Sequence, residues 1–114
     1  MAARLPSELG VVDISESVIA KLAGITATEC LGVLGLAAAD GWTDLLKKDS
    51  VDKGVRVNAI EEGKVKIDIS LVVQYGVSIK AVAENVISSV RYHVENMTGL
   101  KVADINVIIR GIRV

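Results

Sequence analysis

One cysteine, one histidine, one proline and no phenylalanine occur in the 114 residues. A lone Cys30 excludes an intramolecular disulfide and any metal site built from several cysteines. Aromatic residues make up only 3%, so a core has to be built from Val, Ile, Leu and Ala. Neither sign of charge dominates: 13 Lys and Arg face 14 Asp and Glu, a net charge of -1. A nucleic-acid binder usually carries a basic stripe, and the linear sequence offers none, so no nucleic-acid partner is expected. No run reaches the ~18 apolar residues of a membrane span. The least charged stretch, CLGVLGLAAA (30–39), is too short and too rich in glycine, so direct membrane insertion is not expected. The opening MAARLPSELG has Arg4 but no apolar stretch, so no secretory signal is expected and the chain reads as cytoplasmic.

What is present is a strongly patterned aliphatic chain. Hydrophobic residues make up 51%, too many for a disordered segment. The length predicts one domain over 1–114, able to bury roughly two-thirds of the surface its unfolded chain exposes. GVVDIS (10–15) predicts a short strand running into a helix, with Ser15 as N-cap and Ile14 and Ile19 at the spacing of a hydrophobic staple. Val18, Ile19, Leu22, Ala23, Ile25 and Cys30 then recur at helical spacing, with Gly32 as a stop. From 33 to 54 the pattern loosens, with a short strand in VLGLAAADGW and one helical turn in TDLLKKD as the expectation. VRVNAI (55–60) and VKIDISLVV (65–73) alternate as the two strands of a hairpin around Gly63.

The next segment carries the strongest local signals. Ser78 is placed to cap a helix, Val77 and Val82 to staple it, and Val82, Val86, Val90, Val94 and Met97 to form its apolar stripe. Gly99 supplies the C-terminal cap. In the last strand, KVADINVIIRGI (101–112), the alternation slips and predicts a bulge near Ala103 and Asp104. The order strand, helix, hairpin, helix, strand predicts an α+β fold, a mixed β-sheet with two main helices packed on one face. The strands 65–74 and 101–111 should then run parallel.

Chemistry finds little purchase. His93 has no nucleophile or carboxylate placed to work with it, and Glu29 beside Cys30 opposes a reactive thiolate. Glu61 and Glu62 sit together on a turn, not across a cleft. Asp40, Asp44, Asp49 and Asp52 lack the spacing and central glycine of a calcium loop. No catalytic residue, cofactor or metal is expected. Gly32-Val-Leu-Gly35 spells the GXXG of a KH-type RNA loop; it lacks the basic residues such a loop needs, and a KH-like RNA-binding module is the third functional alternative. The candidates that remain are contacts for a partner. Tyr75 and Gly76 lie on a strand-to-helix turn, while Val72, Ile108 and Ile112 are apolar residues out of step with their strands. A bulge that returns the last two to the core is the competing expectation.

Tyr75-Gly76-Val77, Met97-Thr98-Gly99-Leu100 and Ile105-Asn106-Val107, in that order and spacing, resemble the alkaline-shock-protein family of Gram-positive-type bacteria, also called the envelope stress response family. Gly10-Val-Val-Asp-Ile14, Val18-Ile19 and Gly54-Val55 extend the resemblance to about residues 10–112. It implies a small, non-enzymatic cytosolic scaffold or adaptor in envelope homeostasis or alkaline stress. It implies homo-oligomers and docking on a membrane-anchor protein, or alternatively the regulation of a lipid-synthesis enzyme. No catalytic residue can be carried over, because the family has no agreed active site.

Overall fold

A computed structural model describes residues 2–7, 10–37 and 54–114. In chain order the elements are β1 (Ala2–Ser7), β2 (Gly10–Ser15), α1 (Glu16–Thr28), β3 (Val33–Leu36), β4 (Val55–Glu61), β5 (Lys64–Gln74), α2 (Ile79–Thr98) and β6 (Lys101–Arg113). The fold is α+β, as expected.

Strand β5 organises the main sheet. Val65, Ile67, Ile69, Leu71 and Val73 alternate along it, and all five are fully buried in the core. Strand β6 runs parallel to it along its whole length, from Lys64↔Lys101 to Gln74↔Arg113. Its other edge is shared: β4 pairs antiparallel with residues 64–69, and β3 pairs antiparallel with residues 71–73. The sheet is therefore mixed, with β3 and β4 end to end on one side of β5 and β6 on the other. Two bulges interrupt β6. Val65 pairs with Val102 and Lys66 with Asp104, so Ala103 is the extra residue the slipped alternation predicts. Leu71 pairs with Ile109 and Val72 with Gly111, which makes Arg110 a second extra residue.

The two helices cover the β5 face that carries the core row. Ser15 caps α1, its hydroxyl accepting from the Ser17 N–H at 3.2 Å. Ile19, Ala23 and Ala27 are completely buried, and two of these three are alanines, which lets the helix approach closely. Val18 and Ile25 do not join that stripe as expected; both are exposed. A surface helix buries only one apolar face, and here the Ile19 row already fills it. Cys30 lies just past the helix, buried, with its thiol donating to the Thr26 carbonyl at 3.5 Å.

Helix α2 follows its sequence signals closely. The Ser78 hydroxyl accepts from the Ala81 N–H at 3.3 Å, and Val82, Val86, Val90 and Val94 form the buried stripe. Fully burying a valine of this kind stabilises the fold by about 1.5–3 kcal/mol. Gly99 closes the helix at φ 77°, where a Cβ would be strained, and its N–H donates to the Glu95 carbonyl at 3.0 Å. Thr98 binds both sides of that turn: its hydroxyl donates to the Val94 carbonyl and accepts from the Leu100 N–H. Leu100 is buried beneath the end of the helix, and Met97, expected in the stripe, is exposed instead.

The amino-terminal half departs further from expectation. Strand β2 leads into α1 as predicted, but it pairs antiparallel with β1 in a separate two-stranded sheet and does not join the main one. Strand β1, which contains Pro6, has no alternation that would announce it. In a two-stranded ribbon every strand is an edge, the setting in which a proline is tolerated. The strand expected in 33–42 is found at Val33–Leu36. The helical turn expected in 43–49 lies outside the described residues.

Candidate functional site

No catalytic constellation forms among the described residues. The exposed His93 ring places Nδ1 2.8 Å from the Ser89 carbonyl one turn earlier and meets the edge of Tyr92. No group of three or more metal-ligating side chains is found among the described residues. Gly32 to Gly35 does not join two helices, as a KH-type loop would; it leads from the end of α1 into β3.

What the fold does build is a tethered turn at one end of the sheet, from Gln74 to Ser78, with exposed apolar side chains on it and on its flanks. The Gln74 N–H donates to the Gly32 carbonyl at 2.9 Å, and the Tyr75 N–H donates to the Arg113 carbonyl at 2.7 Å. These bonds tie the turn to the segment after α1 on one side and to the end of β6 on the other. Gly76 adopts φ 89° and has open space where a Cβ would stand, so backbone conformation alone explains a glycine there. Tyr75 projects with 72% of its surface exposed. Leu31 is 89% exposed on one flank, and Ile112 is 51% exposed on the other. Beside the turn lies a cleft of about 360 Å³ lined by Leu31, Gly32, Val77, Ser78, Ala81 and Asn85. Its walls are mostly apolar, with only Ser78 and Asn85 to hold a polar group. Such a surface can receive side chains of another protein, but it positions no acid, base or nucleophile.

The remaining candidates are dispersed. Ile108 pairs with Ser70 on the face away from the helices and is 37% exposed. The bulge at Arg110 shifts the register so that Ile112 pairs with Val73, on the core side, although it stays uncovered. Val72 lies on the open face but is fully buried, flanked in the sheet by Gly35 and Gly111. It is therefore not an accessible contact, whereas Tyr75, Ile108 and Ile112 are. Polar side chains of the open face bond one another across the strands. Asn106 donates to the Asp68 carboxylate at 2.9 Å, and the Arg110 Nε–H donates to the Ser70 hydroxyl at 3.4 Å.

Two features escape sequence reasoning. Leu31 passes for the tail of a helix until α1 is seen to stop at Thr28. Glu95, next to Val94 of the buried stripe, turns its carboxylate to accept the Val102 N–H at 2.9 Å. That bond fixes the start of β6 just before its first bulge. No local pattern announces it, because the partners meet only after the chain has turned at Gly99.

The model of the alkaline shock protein family, described by a cell envelope-related function, matches residues 4–114. The chain belongs to this family. The resemblance carried by the Tyr-Gly-Val and Met-Thr-Gly-Leu motifs is thereby borne out. Among its relatives, the uncharacterized protein YloU of Bacillus subtilis (strain 168) is 39% identical over 119 residues, covering 100% of this chain and 98% of its own. Spy1614 of Streptococcus pyogenes serotype M6 is 33% identical, covering 100% of this chain and 97% of its own. YqhY of Bacillus subtilis is 38% identical, covering 94% of this chain and 80% of its own. A solved structure, MamM CTD, superposes with a TM-score of 0.51 over 82% of this chain and 92% of that one. At 13% identity this likeness concerns the fold alone. Two of the three motifs sit at glycine-dependent turns, Gly76 and Gly99, so they mark the way the fold is closed at the two ends of α2. No described helix is long and apolar enough to cross a membrane.

Proposed function

We propose that this alkaline-shock-family chain is a non-catalytic scaffold or adaptor of the cell envelope, working by self-association and by docking a partner that holds it near the membrane. The observation that carries this reading is the exposed Tyr75 on a turn fixed by backbone hydrogen bonds to both flanks, with the exposed Leu31 and Ile112 on those flanks. A turn whose backbone is already bonded loses little freedom on binding, and an exposed aromatic side chain is a frequent interface anchor, which suits a docking site. Family membership supports the envelope setting, and the absence of a catalytic constellation among the described residues is compatible with binding as the activity.

Size-exclusion chromatography with light scattering tests the first half: a species larger than one chain, growing with concentration, is expected. Cross-linking followed by affinity capture from a bacterium encoding a relative tests the second. The wild-type chain should recover one protein reproducibly, and Tyr75→Ala should lose it. A concentration-independent monomer that captures the same proteins with and without Tyr75 would refute the reading.

A further inference from the structure

The long strand β6 has one edge on β5 and, among the described residues, none on any other strand. Such an edge presents unpaired N–H and C=O groups, and folded proteins usually blunt it with lysine, proline or bulges. In β6 the stretch between the bulges, Asp104 to Ile109, has neither lysine nor proline. Its apolar row is also incompletely covered. Ile67, Ile69 and Leu71 of β5 are fully buried, whereas their neighbours Val107 and Ile109 on β6 are only partly buried.

We infer that β6 pairs with β6 of a second copy, antiparallel about a two-fold axis through Val107, to make one continuous sheet across two chains. This rests on the self-association proposed above and names its surface. The register follows from chemistry. A two-fold axis perpendicular to the sheet keeps both pairs of helices on the same side, so each residue must face a partner from the same face. A slip of one residue breaks that rule by flipping every side chain. Centring on Val107 sets Ile105 opposite Ile109 of the other copy and Asn106 opposite Ile108. It also sets Asp104 opposite Arg110, twice over. Centring one residue earlier, on Asn106, keeps the faces but puts Asp104 against Ile108 and loses the charge match. Arg110 carries five N–H donors, enough to serve a second carboxylate alongside the contacts it makes within its own chain.

Cysteine cross-linking reads this register directly. In a Cys30→Ala background, Val107→Cys stands opposite itself across the axis at a Cα separation of about 4.5–5.5 Å, within the span a disulfide bridges. Val107→Cys chains should therefore oxidise to a covalent dimer. Asn106→Cys and Ile108→Cys stand diagonally from their own copies at about 7–8 Å and should cross-link poorly alone. Mixed together they should cross-link efficiently, because 106 faces 108. Both positions lie on the open face, so that mixture decides the question even if Val107→Cys fails to fold. Asp104→Arg should weaken the dimer about tenfold or more by replacing two attractive pairs with repulsive ones. An oligomer that forms without this cross-linking pattern overturns the β6 interface while leaving self-association standing. A strict monomer at high concentration overturns both.

Discussion

Replacing Gly32 with alanine probes the junction on which the docking end is built. Gly32 sits at φ 88°, and an added Cβ would lie 2.8 Å from Val82 Cγ2 in the buried stripe of α2. Two costs follow. Holding an alanine in the left-handed region costs about 1–2 kcal/mol, and forcing a packed valine aside costs about 1–3 kcal/mol more. Gly32→Ala should therefore lose about 2–5 kcal/mol in a urea titration followed by far-ultraviolet circular dichroism. Gly76 provides the control. It has nearly the same φ, 89°, but nothing within 4 Å of its Cβ position. Gly76→Ala should lose only the backbone part, about 1–2 kcal/mol. The packing part can be isolated further. Val82→Ala removes the obstructing methyls, so the double variant Gly32→Ala, Val82→Ala should be more stable than the sum of the single losses predicts, by about 1–3 kcal/mol. Equal losses at Gly32 and Gly76, together with simple additivity at Val82, would refute the proposed contact between the end of α1 and the start of α2.

Glu95→Ala leaves the Val102 N–H without its carboxylate acceptor and should cost about 1–3 kcal/mol in the same titration, with faster amide exchange at the start of β6. Tyr75→Ala should change stability by no more than about 0.5 kcal/mol, because the side chain is exposed and only its backbone is bonded. A large stability loss there would make the tyrosine a structural residue and remove it from the docking surface.

How much of this was legible in the residues depends on how far apart the interacting partners lie. Most of the chain from the β4–β5 hairpin onward is written locally. Ser78 and Gly99 bracket α2, four valines spaced by four define its buried face, and the slipped alternation reports the Ala103 bulge. The end-to-end sharing of one β5 edge by β3 and β4 is not written locally, nor is the pairing of β2 with β1 away from the main sheet. Both are choices of partner strand, and alternation says which face a strand buries without saying beside whom. The candidate surface divides the same way. Tyr75 is recognisable from its turn, but its companion Leu31 depends on where α1 stops. Val72 and Ile108 both fall on the face away from the helices by alternation, and only the folded structure shows that the first is buried and the second is not.

The aliphatic core has a practical consequence. Tyr75 and Tyr92 are both exposed in the native state, so unfolding moves them from water to water and changes their absorbance little. The four-valine face of α2 and the alternating row of β5 contain no chromophore. Trp42 lies outside the described residues, and loss of these two rows is followed through the backbone, by far-ultraviolet dichroism or amide exchange. With Tyr92 replaced by phenylalanine, Tyr75 becomes a native reporter: in folding buffer, a change in tyrosine absorbance then signals that something has arrived at that turn.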